Sequence, residues 1–278
     1  MKKTRYSIES EIIELYRKTA TELPNDVVVA LKKAEQKEAN RIAKEALGHI
    51  LENISLAKKE SKPICQDTGT PIFYIERPKK YSERELTKII ERATVRATEE
   101  IPLRPNAVNI LAGKSIGNKP IIHFEESKKL EIELLLKGGG SENISAIYKL
   151  PNEELNADRD FDGVRKCILD SAFKAQGKGC PPYIIGVAIG RDIEEVAHLS
   201  KKQLLRKLSD KNSNKLLNRL ETKTLKEINQ LGIGPMGFGG KTAALALKII
   251  TVERHPATYF VGISFGCWCL RRQSICLD

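Results

Sequence analysis

Tyr183 to Ile189 is a run of seven residues without a charged side chain, and it follows the rigid stretch Gly177-Lys178-Gly179-Cys180-Pro181-Pro182. Bounded by turn formers on one side, it predicts a strand. Helical patterns flank it at residues 161–176 and 193–208, and another covers 215–230. Helix, strand and helix in succession call for a sheet with helices packed against it. Two further strands, at 243–252 and 258–264, come near the end. The first part reads differently. From about residue 7 to 56, apolar residues recur at three- and four-residue steps (Ile8, Ile12, Ile13, Leu15; later Ile42, Ala46, Ile50, Ile54), with Pro24-Asn25-Asp26 marking a break and a helix start. A loop at 64–71, a short strand at 72–75 and a helix at 82–99 follow. Residues 119–124 and 130–136 read as strands paired with each other, and Gly138-Gly139-Gly140-Ser141-Glu142-Asn143 ends the second. The expectation is an α/β fold, mixed helices and sheet with a helical amino-terminal part, as one continuous domain over residues 1–278.

The net charge of +11 raises the question of nucleic acid. The basic residues are scattered, however. The densest stretch, 201–219, also carries Leu204, Leu205, Leu208, Leu216 and Leu217, as an amphipathic helix with a solvated face does. No zinc-finger or RNA-recognition pattern accompanies it, so no nucleic-acid partner is expected. Positive potential also suits an anionic substrate or an acidic partner chain. The basic start, Met1-Lys2-Lys3-Thr4-Arg5-Tyr6-Ser7, lacks the apolar core of a signal peptide. The run 256–270 falls short of the roughly 20 residues that span a bilayer. A cytoplasmic protein with no membrane segment is expected.

Two phosphate-binding patterns overlap at Leu231-Gly232-Ile233-Gly234-Pro235-Met236-Gly237-Phe238-Gly239-Gly240-Lys241-Thr242. Gly232, Gly234 and Gly237 satisfy G-x-G-x-x-G, but a helix pattern precedes them where a dinucleotide fold needs a strand. Gly240-Lys241-Thr242 resembles the end of a P-loop, yet Pro235 occupies the position of the leading glycine. What these glycines do imply is a backbone that approaches something closely.

Six cysteines occur, at 65, 167, 180, 267, 269 and 276. In a reducing compartment they stay thiols, and no C-x2-C pair suggests zinc. Burial is the default for a single cysteine. Three sit in other company: Cys65 before Gln66-Asp67-Thr68-Gly69, Cys180 between Gly179 and Pro181, and Cys267 at the end of an apolar strand before Trp268. Cysteines at strand ends and in Gly/Pro loops are well placed to converge on a metal.

The segments Ile64-Cys65-Gln66-Asp67-Thr68-Gly69-Thr70, Leu103-Arg104-Pro105-Asn106-Ala107-Val108, Lys137-Gly138-Gly139-Gly140-Ser141-Glu142-Asn143, Cys180-Pro181-Pro182-Tyr183, Gly237-Phe238-Gly239-Gly240-Lys241-Thr242, Arg254-His255-Pro256-Ala257 and Cys267-Trp268 occur in this order. Together they resemble the class I fumarate hydratase and L-tartrate dehydratase family. The match is to the amino-terminal half of its single-chain members, or to the alpha subunit of its split ones. The resemblance implies a [4Fe–4S] cluster ligated by Cys65, Cys180 and Cys267. Three protein ligands leave one iron with an open position that acts as a Lewis acid, whereas a fully ligated cluster suits electron transfer. The implied reaction is the reversible hydration of fumarate to (S)-malate, with dehydration of L-tartrate to oxaloacetate as the alternative.

Further roles follow from the same resemblance. Asp67 exchanges a proton with the departing hydroxyl and Gln66 orients a carboxylate, unless both merely cap the turn around Cys65. Arg104 offers its guanidinium fork to a substrate carboxylate. Gly139 and Gly140 present backbone N–H groups to an anion, or simply form a strand-end turn. His255 lines the pocket, donating a hydrogen bond or transferring a proton. One departure is Cys269, where the family more often has alanine; it leaves open whether Cys269 assists Cys267. Single-chain members continue into a second domain that completes the active site. The resemblance therefore implies a separate beta subunit, in an α2β2 assembly, that supplies the catalytic base and further carboxylate ligands. A non-catalytic iron–sulfur sensor is a remoter reading of the same thiols.

Overall fold

The structure, a computed structural model, describes residues 5–277, and among these it forms eight α-helices, ten strands and two short 3-10 turns. The basic start at residues 1–4 lies outside them. Among the described residues no helix is long and apolar enough to cross a membrane. Two compact units form: one from residues up to Pro24, Glu52–Gly139 and the stretch from Cys269 on, the other from Asn25–Leu51 and Gly140–Trp268.

The helical start divides into α1 (Arg5–Thr21), α2 (Asn25–Lys37) and α3 (Arg41–Glu60). The break at Pro24 stands as expected. A second break, between α2 and α3, carries no Pro or Gly signal: Glu38 turns back to accept from the N–H groups of Ala39 and Asn40.

The first unit holds β1 (Thr70–Arg77), α4 (Glu83–Glu100), the small hairpin of β2 (Val108–Asn109) and β3 (Lys114–Ser115), then β4 (Ile121–Glu126), β5 (Glu131–Lys137) and the late strand β10 (Arg271–Cys276). Its main sheet runs β10-β5-β1-β4. The expected pairing of β4 with β5 does not occur, because β1 lies between them, parallel to β4 and antiparallel to β5. Pro71, Ile72, Phe73, Tyr74 and Ile75 of β1 are all buried, so this strand takes a central place. The half-exposed β4, ending in Glu125 and Glu126, tolerates the edge. Phe73 and Ile75, with Ile132, Leu134 and Leu136 of β5, face α1 and α4. The two helices are joined by a 2.7 Å hydrogen bond between the hydroxyls of Tyr16 and Thr94. Strand β10 was not expected, since Arg271-Arg272-Gln273-Ser274 carries no apolar alternation.

The second unit contains α5 (Gly139–Asn143) apart from its first residue, β6 (Ala146–Lys149), α6 (Phe161–Ala175), β7 (Tyr183–Gly190), α7 (Ile193–Lys202), α8 (Lys215–Gln230), β8 (Ala244–Thr251) and β9 (Phe260–Gly266). The sheet order is β6-β9-β7-β8, with β7 parallel to β8 and antiparallel to β9. All eight residues of β7 are buried, as in a strand covered on both faces. Tyr183, Ile185, Val187 and Ile189 pack with α6 and α8. By the two-residue period, Gly186 faces the other way, towards α7. A Cβ at Gly186 would meet the Ser200 carbonyl at 2.1 Å, and one at Gly262 would meet that of Val196 at 2.5 Å, so bare glycines let α7 lie directly on the sheet. α7 ends at Lys202 and continues only as a 3-10 turn, Gln203–Leu205, short of the helix expected to 208.

Candidate active site

In the first unit the 64–69 loop enters β1 and is tied down by its own polar side chains. Asp67 Oδ1 accepts from the Gly69 N–H at 3.0 Å, closing an Asx-turn, and Oδ2 accepts from the Gly139 N–H at 2.7 Å. The Gly139 N–H is thus taken up within the chain, by Asp67. Cys65 and Asp67 are half-buried and Gln66 is exposed. Thr68, assigned no role from sequence, is the buried hub of this region. Its Oγ1 accepts from the N–H of Arg104 at 3.0 Å and from Asn106 Nδ2 at 3.1 Å. Asn118 Nδ2 donates to the Arg104 carbonyl at 3.0 Å. These bonds hold the backbone of Arg104 to the 64–69 loop, while its side chain stands exposed and makes no ion pair among the described residues. The only sequence signal for Thr68 was its place inside the Cys-Gln-Asp-Thr-Gly motif.

In the second unit the topology brings two cysteines to one end of the sheet. Because β9 is antiparallel to β7, Gly266 lies beside Ile184, so Cys267 emerges where Cys180 leads in. The Trp268 N–H donates to the Cys180 carbonyl at 3.1 Å. The Tyr183 hydroxyl donates to the Gln176 carbonyl at 2.6 Å and accepts from the Gly179 N–H at 3.1 Å, bracing the turn. Its own pKa is pushed up to about 12, first by burial and further by the charges of Cys180 and Cys267. Cys180 has φ of 59°, with Gln176 at 46° and Met236 at 53° nearby in the same group of loops. Such left-handed non-glycine residues cost about 1–3 kcal/mol each and concentrate at functional sites.

The glycine-rich loop stands at this end too, since β8 starts beside Tyr183. Its N–H groups hold no phosphate pattern: that of Lys241 donates to Glu38 Oε2 at 2.8 Å, where Glu38 is buried. The Met236 N–H donates to the Pro181 carbonyl at 2.8 Å. The close approach expected of these glycines is that of Gly237 to Gly177. With φ of 79°, a Cβ on Gly237 would meet the Gly177 Cα at 2.8 Å. This loop is a buttress for the turn that carries Cys180.

His255 is exposed in the segment joining β8 to β9. That segment is at the opposite end of the sheet from Cys180 and Cys267, about 25 Å away at some 3.3 Å per strand residue. Its Nδ1 accepts from the Ala257 N–H at 3.1 Å, which leaves Nε2 as the donor of the neutral ring.

A [4Fe–4S] cluster can be tested against this donor set. Cys65, Cys180 and Cys267 are half-buried, lie on loops and take part in no disulfide, whereas Cys167 and Cys269 are buried and Cys276 is exposed. Burial pushes the Cys167 thiol up to about 12, the wrong direction for a thiolate ligand. Among the described residues no three His, Cys, Asp or Glu side chains gather on one ion; a cluster does not ask for that, since each thiolate takes a different iron. Taken one by one, the half-buried thiols of Cys65, Cys180 and Cys267 have the exposure and loop setting that a thiolate ligand needs, which the buried Cys269 lacks.

A family model described as fumarate hydratase (fumerase) matches residues 9–276. A Geobacillus stearothermophilus protein named "Putative fumarate hydratase class I" is 41% identical over 276 residues, 95% of this chain and 54% of that protein. The chain thus spans about half the length of that relative. A Methanocaldococcus jannaschii protein named "Putative L(+)-tartrate dehydratase subunit alpha" is 39% identical, covering 95% of both chains. The L(+)-tartrate dehydratase subunit alpha of Escherichia coli K12 is 31% identical over 92% of this chain and 86% of its own. With a family model spanning nearly its whole length and relatives of this identity, the chain belongs to the class I fumarate hydratase family, together with the alpha subunits of L-tartrate dehydratases.

Proposed function

We propose that this chain is the alpha subunit of a [4Fe–4S] hydro-lyase that interconverts fumarate and (S)-malate. The observation that carries the reading is the strained, many-times-braced turn at Cys180, bonded through Trp268 to the strand end that bears Cys267. When bound, a cluster with one iron not held by protein supplies a Lewis-acidic position for an oxygen of the substrate. The chain's own residues do the rest. The exposed, unpaired guanidinium of Arg104 binds one carboxylate as a fork. Gln66 and the Gly140 N–H orient the other, while the Gly139 N–H stays on Asp67. Asp67 gives or takes the proton of the hydroxyl, and a net charge of +11 draws in the dianion. A separate beta subunit completes the site and carries the catalytic base. Since His255 stands a strand's length from the cysteine pair of its own chain, its Nε2–H serves a site built with a second copy, as an α2β2 assembly allows.

L-Tartrate is the second reading, favoured by two relatives named as tartrate dehydratase alpha subunits that match as separate chains of nearly the same extent. Tartrate differs from malate by one hydroxyl, so anaerobic rates with fumarate, malate and L-tartrate decide between them. The chain alone should turn over none of these, and the chain with its beta partner should turn over one of them. Full activity of the isolated chain would contradict the two-subunit reading, and inactivity of the iron-loaded pair on all three acids would contradict the hydro-lyase reading.

A further inference from the structure

Arg271 opens β10 opposite Leu136 of β5, at the sheet end where the 64–69 loop enters β1. Its side chain is 1% exposed, yet neither Nε nor Nη1 has a hydrogen-bond partner. An arginine cannot shed its proton to escape burial, and an unpaired buried charge is among the most destabilising things a core can hold. The group nearest to an explanation lies across Gly138. A methyl group added there would come 3.2 Å from Asp67 Oδ2 and 3.8 Å from Arg271 Nη2, so carboxylate and guanidinium flank the same bare Cα. Asp67 is already held by the N–H groups of Gly69 and Gly139. The guanidinium adds a fixed positive charge beside the same glycine.

We propose that Arg271 is a positioning residue for Asp67: its buried charge holds the Asp67 carboxylate, and with it the 64–69 loop, in place for the reaction. The proposal rests on the hydro-lyase reading for its kinetic consequence but not for the pairing itself. A guanidinium that served packing alone would be replaceable by an apolar side chain of similar length with no loss, since buried charges exchanged for hydrophobic groups are often neutral or stabilising. A positioning charge differs in turnover alone, which is lost while stability is kept.

Four forms of the full chain test this: Arg271→Met, Arg271→Lys, Asp67→Asn and the Met/Asn double variant. In the complex with the beta subunit, Arg271→Met should melt no lower than the parent. Its kcat should fall by about 50-fold or more with KM changed less than about threefold, as for an interaction used only in the transition state. Arg271→Lys, which keeps the charge, should stay within about fivefold of the parent kcat. Melting of the alpha chain gives a readout free of activity. Asp67→Asn should lower the melting temperature in the parent and much less in the Arg271→Met background. Equal losses in both backgrounds would overturn the pairing, whatever the assay shows. A normal kcat for Arg271→Met would overturn the positioning role, and so would a marked drop in its melting temperature. If the parent complex hydrates none of the acids, the hydro-lyase reading fails, and the melting cycle still decides whether Arg271 and Asp67 act together.

Discussion

Asparagine in place of Asp67 is expected to lower kcat by about 10²–10⁴-fold, the usual worth of a positioned proton-transfer group. The folded state should lose far less. Asparagine Oδ1 can still accept from Gly69 or from Gly139, but its amide cannot accept the second N–H, so one of the two bonds at 3.0 and 2.7 Å goes. A lost hydrogen bond of this kind costs about 1 kcal/mol. Steady-state kinetics of the complex, set beside thermal melting of the variant, separate the two effects. Near-parental kcat with a lowered melting temperature would make Asp67 a turn cap and nothing more.

Methionine in place of Arg104 should act on binding. The side chain is exposed while its backbone is fixed by Thr68 and Asn118, so its removal breaks no hydrogen bond or ion pair among the described residues. Melting should stay within experimental scatter. A charge-assisted bond to a carboxylate is worth about 1.5–3 kcal/mol, so kcat/KM should fall by about 10- to 150-fold, most of it in KM. Lysine should recover little, because an ammonium cannot present the two parallel N–H groups of the fork. Unchanged KM in Arg104→Met would remove this residue from the substrate site.

Much of the fold was legible because its strongest elements obey local rules. The Tyr183 strand, α8 from Lys215 to Gln230 and the break at Pro24 all carry their signals within a few residues. The pairing of β4 and β5 was misread because adjacent strands joined by a short link ordinarily pair, whereas β1, buried from Pro71 to Ile75, takes the place between them. β10 escaped notice because its first residue is a buried arginine, a group that local pattern assigns to the surface. At the candidate site, motifs singled out the residues proposed for chemistry, whereas the bonds that support them were not legible. Thr68 acts through bonds to Arg104 and Asn106, 36 and 38 positions away, and Glu38 holds the loop at Lys241 from 203 positions away. Long-range hydrogen bonds leave no periodic trace in a sequence. The remote end of the sheet occupied by His255 became visible only once the strand directions were known.

The central claim is that Cys65, Cys180 and Cys267 hold an iron–sulfur cluster. The most direct measurement is iron and acid-labile sulfide, with the visible spectrum, on chain produced with its beta subunit and purified without oxygen. The triple Cys65/Cys180/Cys267→Ser variant is the control. About four irons and four sulfides per alpha chain, lost in the variant, are expected. A folded complex that stays colourless and iron-free, or a triple variant that keeps its iron, would contradict the account.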